Sequence, residues 1–521
     1  MMPGTMIEAL AARAVDCTDQ LAFSIEGEAL TFGQLYDDTR WLARRLAAIG
    51  VTRGSRCAII LPTCLDFVRS VYAAQWLGAI PVAIDPGLTP VARDLRLGLI
   101  DPCVVITTDR HGDLMRVAAA GARAPVVLTR SMFGSMPAAP GLVGGNPEPE
   151  DIAYLQFTSG TSGDPRASAM SYRALLSALK AMHERYDLTS RDVQANWIPL
   201  HYTSGLVRHV FGTVSAGCPS YLIKPEATGI ARWLHLMAKV RATVTVSPDF
   251  AYRLAPRLVS PSAVDLRSLR LATNGGEAVR ASTIRTFEEH FGLTRVVQPA
   301  YGLSEAVAAV TSTCPGDELD TDKLGHVSCG PAVEGVELRV VDERGAACAA
   351  GVEGQIQFRG DTLFSGYFGD QPGTRDVMRD GWCQPGDLAV IDGAGRLYVR
   401  SRVRAMIKRA GAGIAPREIE EPVERLEGVH RAAAIGVNLA GGSTEDIVVV
   451  VEVLDEHSPG AARLASEVQR VAVAAVGVMP ASVLIVASSA IPRTATGKVR
   501  LGELQALVVD PAFVRSAYFA G

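Results

Sequence analysis

A run of hydroxyls and glycines closed by a cation, Thr158-Ser159-Gly160-Thr161-Ser162-Gly163-Asp164-Pro165-Arg166, follows the apolar residues Tyr154 to Phe157. Glycines let backbone N–H groups crowd an anion, hydroxyls donate further hydrogen bonds and a guanidinium adds charge, so this loop suits a phosphate. Its spacing is not that of the common Gly-x-x-x-x-Gly-Lys-Ser/Thr loop. On these residues alone it also reads as an ordinary surface loop. Five distant stretches carry further chemistry: Asn274-Gly275-Gly276-Glu277-Ala278, Tyr301-Gly302-Leu303-Ser304-Glu305-Ala306, Gly386-Asp387-Leu388, Ser401-Arg402, and Pro492 to Lys498. Taken singly each has a plainer reading. Asp387 then serves as a turn residue, Glu305 as a helix-start acid and Lys498 as a solvated side chain.

The elements that must position these residues follow from apolar periodicity. Leu35, Leu42, Leu46 and Ile49 fall at helical spacing and stop at Gly50; Cys57 to Leu61 is a short apolar strand; a helix through Val68 to Ala79 and a strand from Ile80 follow. Strand, helix, strand with short turns predicts a parallel sheet covered by helices. Pro137 to Asp151 reads as a linker before a second α/β stretch, roughly 152 to 310. The text then turns β-rich at Gly335 to Gly345 and Glu353 to Gly360. From about 403 a separate α+β pattern of about 120 residues begins. The expected fold class is α/β: a large N-terminal domain, residues 1–402, of α/β subdomains plus a β-rich one, and a small mobile α+β domain, residues 403–521.

Composition removes other classes. The chain has 521 residues, 48% hydrophobic, with Lys+Arg 51 against Asp+Glu 55 and a net charge of −4, so no basic surface for nucleic acid or membrane stands out. Nine cysteines, none within six residues of another, exclude a Cys-x-x-Cys site and argue for reduced thiols in a cytoplasmic setting. No basic region with an apolar core opens the chain. The 22 residues between Arg470 and Arg493 carry no charge, but Pro480 and several serines split them, and Val483 to Val486 reads as a buried strand, not part of a membrane span.

In this order and at these separations the six stretches resemble the adenylate-forming superfamily: acyl-CoA synthetases, fatty acyl-AMP ligases, peptide-synthetase adenylation domains and luciferases. The resemblance covers nearly the whole chain. It implies that Thr158, Ser159, Gly160, Thr161, Ser162, Gly163 and Arg166 clamp the phosphates of ATP, and that Gly276, Glu277 and Ala278 lie along adenine, on which Tyr301 stacks. It further implies that Ser304 donates to the α-phosphate, Glu305 holds Mg²⁺, and Asp387 and Arg402 contact ribose. Lys498 would meet the negative charge that develops between carboxylate and phosphate. Arg404, two residues past Arg402, takes the hinge position, usually Asp or Lys. Other departures are Arg166-Ala167 for Lys-Gly, Pro385 for Thr before Gly386, and Ala410 and Ala412 in the loop that lines the mouth for the acceptor thiol.

The acid and the acceptor are addressed by further stretches. Amino-acid-activating relatives carry an Asp in the region matching Trp197 to Leu206, and this chain has no acid there, which disfavours an α-amino acid substrate. The stretch instead resembles that of fatty acyl-AMP ligases, with His201-Tyr202 inverted and Thr203 in place of Asp; so do Ser247 to Leu254 and Val327 to Gly330. Substrate contacts are then expected from His201, Tyr202, Gly205, Phe250, Gly275 and Ala306. Phe250, Tyr252, Val207 and Val210 read either as the lining of an acyl tunnel or as ordinary core. Fatty acyl-AMP ligases typically carry an insertion that this chain lacks, with 22 residues between Glu305 and Ser328. The acceptor is a phosphopantetheine thiol, leaning to an acyl carrier protein with free CoA as the alternative; a catalytically weak adenylate-binding protein is the reading from a different class.

Overall fold

Cys57 to Ile60 and Val104 to Ile106 are apolar on successive residues, so both faces of each strand must be covered, as in a parallel sheet between helices. The computed structural model describes residues 4–110, 125–141, 144–158, 165–226, 228–409, 412–438, 445–453, 461–493 and 499–520. It buries both runs to 1% exposure or less. Their sheet has seven strands in the order β17 (Gly366–Tyr367), β8 (Ala167–Ser171), β7 (Ile152–Phe157), β4 (Ile80–Ala83), β3 (Arg56–Ile60), β5 (Val104–Thr107) and β6 (Val126–Thr129). From β7 to β6 all neighbours are parallel, whereas β8 pairs antiparallel with both β7 and β17.

A second sheet of eight strands runs β14 (Thr311–Ser312), β13 (Val297–Tyr301), β12 (Leu271–Gly275), β11 (Val244–Ser247), β9 (Gln194–Asn196), β10 (Ser220–Leu222), β1 (Leu21–Ile25) and β2 (Glu28–Thr31). Helices Leu65–Trp76 and Tyr172–Tyr186 and a π-helical turn, Gly205–Phe211, share one core with residues of both sheets; the Tyr72 hydroxyl donates to the Val210 carbonyl at 2.8 Å. The β-rich part is antiparallel: β15 (Val336–Val341), β16 (Gly354–Gly360), β18 (Met378–Arg379), β19 (Trp382–Cys383), β20 (Asp387–Ile391) and β21 (Leu397–Arg402). Beyond it lie the hairpin of β22 (Ile407–Arg409) and β23 (Ala412–Ile414), helices Pro416–Glu424 and Ala461–Val476, and a four-stranded sheet. That sheet orders β24 (Val429–Val437), β25 (Asp446–Val453), β26 (Ser482–Ala487) and β27 (Tyr518–Ala520). The expected α/β class with a small α+β C-terminal part is what the structure shows.

Sheet membership differs from the linear reading. Residues 137–151 do not separate two sheets: β7 and β8, after them, complete the first sheet, while β1 and β2, far before them, complete the second beside β10. Parallel neighbours are joined by crossovers, so pairing is non-local and leaves no mark in composition. Nor is the segment a free spacer. Gly145 donates to the Trp76 carbonyl at 2.8 Å, and a Cβ there would stand 2.2 Å from the Leu77 carbonyl carbon, so the chain is pressed onto the helix end. The charge-free stretch divides as its sequence indicates: its first part ends helix Ala461–Val476, and its second is β26, parallel to β25. Among the described residues no helix is long and apolar enough to cross a membrane.

Candidate active site

Parallel strands deliver their C-terminal ends to one edge of a sheet, where the connecting loops leave a crevice. Asp85 lies past β4, Thr158 past β7, His201 past β9, Asp249 past β11 and Gly276 past β12, and Tyr301 ends β13. Two linked groups form there. Asp387 opens β20 and Arg402 closes β21, directly opposite in the antiparallel register. Arg402 Nε donates to Asp387 Oδ1 at 2.6 Å and the Tyr301 hydroxyl to Oδ2 at 2.5 Å. A carboxylate only 4% exposed requires such partners. Burial first, then the neighbouring Asp387 charge, pushes the Tyr301 phenol well up, so it remains a donor.

Glu305 anchors the second group. It sits in the 3₁₀ turn Ser304–Ala306 and its Oε1 accepts the Tyr367 hydroxyl at 2.6 Å. Tyr367 comes from the edge strand β17, opposite Ser168 of β8, and its ring carries the Arg166 guanidinium 5.2 Å from its centroid. Arg166 also faces Asp370 at 3.3 Å and Asp376 at 3.9 Å, and its carbonyl accepts the Thr158 amide at 2.9 Å, closing the base of the loop. Ser304 Oγ lies 3.1 Å from Thr203 Oγ1, which ties the turn after β13 to the stretch after β9. Just past the turn, Val307 has φ +62°, a conformation costly for a β-branched residue, and it is fully buried. Strain held by packing marks this turn as shaped for more than chain reversal.

The Gly275–Ala278 strip is set by backbone contacts. A Cβ on Gly275 would meet the Ala300 carbonyl oxygen at 2.6 Å, and Gly276 has φ +86°. Gly276 and Ala278 are exposed. Glu277 turns away to accept the Phe250 amide at 2.6 Å, and burial, then Asp249, raises its pKa against the opposing charge of Arg431. His201 stands 3.5 Å from Asp85 and stacks on Tyr202 at 4.9 Å; burial lowers its pKa, keeping the imidazole neutral against the opposing Asp85 charge. Gly205 opens the π-helical turn because a Cβ there would strike the Pro199 carbonyl oxygen at 2.1 Å.

Ala306 is fully buried, as are Val207, Val210 and Tyr252, and all four pack in the apolar clusters of the large domain. Phe250 packs edge-on against Trp197, with Arg431 of the C-terminal module 5.6 Å from its ring centroid. Ser159, Gly160, Thr161, Ser162, Gly163 and Lys498 lie outside the described residues; Arg404 falls in the short turn Val403–Ala405. Sequence reasoning missed Tyr367, Asp85 and the acids facing Arg166. It also missed the bridge to the C-terminal module: Arg280 spans Asp249 at 3.2 Å and Glu424 at 2.9 Å, Arg417 donates to the Val279 carbonyl and Arg253 to that of His430. Beside this bridge burial pushes Glu420 up to about 7.

Comparison with known proteins agrees with this layout. Residues 10–368 match the family model of the AMP-binding enzymes. The Mycobacterium tuberculosis protein Rv1013 is 30% identical, over 92% of this chain and 94% of its own. The long-chain-fatty-acid–AMP ligase FadD28 of Mycobacterium bovis is 28% identical over 91% of each. A solved structure from a study of fatty acyl-adenylate ligases of E. coli and L. pneumophila superposes with a TM-score of 0.87 at 26% identity, covering 96% of both chains. With more than half of its length matched by one family model, and similarity to relatives carried from end to end, this chain belongs to the AMP-binding enzyme family.

Proposed function

We propose that the protein joins a carboxylic acid to the α-phosphate of ATP, releasing pyrophosphate, and then passes the acyl group to a phosphopantetheine thiol, on a carrier protein in preference to free coenzyme A. In the first step a carboxylate oxygen attacks the α-phosphorus and the bond to the β-phosphate oxygen breaks. In the second the thiol sulfur attacks the acyl carbon and AMP leaves. The observation that carries this reading is that the Asp387–Tyr301–Arg402 and Glu305–Tyr367–Arg166 groups gather near each other at the strand ends of the large domain, residues 1–402, with Arg402 feeling the charges of both Asp387 and Glu305. Asp387 suits ribose hydroxyls, because a fixed carboxylate accepts from both; Tyr301 and the open edge of Gly276 to Ala278 suit the base; Arg166 and the loop from Thr158 suit phosphates.

Mg²⁺ fits Glu305 as a single hard oxygen ligand supplemented by phosphate and water oxygens. Among the described residues no cluster of three or more His, Cys, Asp or Glu side chains is able to hold a metal unaided, which suits an ion that arrives with its nucleotide. When bound it would screen the phosphate charge. Ser304, whose hydroxyl meets that of Thr203, is suited to donate to the α-phosphate.

The stretch from Trp197 to Leu206 contains no carboxylate for a substrate ammonium, so the acids activated lack an α-amino group. Pyrophosphate exchange into ATP tests this with matched panels of carboxylic and α-amino acids. The expected result is exchange with the former and background with the latter; amino acids outperforming simple acids would overturn it. The fatty acyl-AMP ligase relatives support carrier delivery, whereas the compact span from Glu305 to Ser328 favours the second reading, coenzyme A. Loading of holo-carrier protein is expected to exceed acyl-CoA formation at matched concentration. Saturable acyl-CoA production without carrier loading would decide for the second.

A further inference from the structure

We infer that Arg208 reads the distal end of the acid, and that the acid this protein takes carries a second anionic group there. The inference rests on the adenylation reading above and names the substrate class. Arg208 is the only residue of the π-helical turn Gly205–Phe211 that keeps partial exposure; Leu206, Val207, His209, Val210 and Phe211 are each 1% exposed or less. A turn wound in this way is uncommon and frequently marks a functional site, because it re-aims side chains that an ordinary helix would bury.

The guanidinium reaches the Thr273 hydroxyl at 3.1 Å and the Tyr186 hydroxyl at 3.0 Å, and lies 4.9 Å from the Tyr186 ring centroid. These partners orient it, but all are neutral. Among the described residues no carboxylate lies within 4 Å of it. An arginine stays charged at any ordinary pH, and a partly buried guanidinium held by neutral partners alone is a favourable seat for a ligand's negative charge. Its fork also matches a carboxylate in two parallel hydrogen bonds.

Thr273 fixes where that anion would sit. On β12 it shares a face with Gly275, two residues on, so it lies about 7 Å deeper along the strand. Gly275 pairs with Ala300, next to Tyr301, and three residues past Tyr301 the Ser304 hydroxyl meets that of Thr203, two residues before the turn that carries Arg208. An acid whose reacting carboxylate lies at Ser304 would therefore present its far end to Arg208 after a short chain. The burial of Val207, Val210 and Tyr252 in the core agrees with a short acid.

The test is pyrophosphate exchange with succinate, glutarate and adipate against butyrate, valerate and hexanoate, for the wild type, Arg208→Met and Arg208→Lys. The wild type is expected to favour a dicarboxylate over the monocarboxylate of equal length by on the order of 10²-fold in kcat/KM. Arg208→Met should erase that preference by lowering the dicarboxylate alone, and Arg208→Lys should restore part of it. If the wild type prefers monocarboxylates, or if Arg208→Met lowers both acids equally, Arg208 is structural and the inference fails while adenylation stands. Exchange with none of these six acids but with a long-chain fatty acid would refute the inference and leave adenylation standing, whereas exchange with no carboxylic or amino acid in either panel would overturn the adenylation reading itself. The wild-type preference decides the matter even if Arg208→Met does not fold.

Discussion

Glu305→Gln is expected to lower acyl-adenylate formation by roughly 10²- to 10³-fold while leaving the fold intact. The amide keeps the shape of the side chain, and its oxygen still accepts the Tyr367 hydroxyl, so the contact that fixes the turn survives. What disappears is the one negative charge that the proposed site sets against the phosphates, and with it the ligand proposed for Mg²⁺. Tyr367→Phe is the control, because it removes the hydrogen bond and keeps the charge; a loss of about tenfold is expected there, the low end of what one hydrogen bond to a charged group contributes. Pyrophosphate exchange measures both, and calorimetric titration with Mg-ATP gives a second reading on binding. Near-wild-type exchange in Glu305→Gln would remove the metal role from this residue. A larger loss in Tyr367→Phe than in Glu305→Gln would mean that the geometry of the turn matters more than its charge.

How far the sequence led depends on whether the relevant physics is local. Strand runs such as Cys57 to Ile60 and the helix from Phe32 to Ala48 were legible, because apolar periodicity states which faces must be covered. The pairing of Asp387 with Arg402 was within reach, since the two residues end adjacent strands of one antiparallel pair. Their link to Tyr301, 86 positions away, was not, because it depends on how the β-rich sheet docks onto the strand ends of another. Tyr367 left no signal at all. Only the antiparallel addition of a two-residue strand beside β8 brings its hydroxyl to Glu305 and its ring under Arg166. The contact between Glu277 and Phe250 was equally hidden: the carboxylate of one accepts the backbone amide of the other, and Arg431 lies 5.6 Å from the ring centroid.

Lys498→Ala is expected to lower adenylation by at least 10²-fold, roughly the effect of losing one preorganised group at developing charge, and to leave thioester formation from supplied acyl-AMP within a few-fold of wild type. Lys498 lies outside the described residues, but those on either side of its segment are held: Arg493 and Val499 form a β-bridge, the Ile491 amide and Arg493 both engage Glu452 on β25, and the Arg500 amide donates to the Pro492 carbonyl. Arg500, two residues on, is near enough for its charge to weigh on Arg96, whose guanidinium lies 5.5 Å from the ring centroid of Phe157, the residue before Thr158. Arg500 thus lies toward the strand that leads into the proposed phosphate loop, where the proposed role of Lys498 is to assist two anions in meeting. For a different face to serve the thiol, the module must rotate, and the Arg280–Glu424 contact must break while Arg280 keeps Asp249. Arg404→Pro, which fixes φ at about −65° in the turn leading into the module, should therefore permit adenylation and impair thioester formation. Measuring the two half-reactions separately in both variants is decisive: if both steps fall together in Lys498→Ala, the module does not alternate between two tasks in this protein.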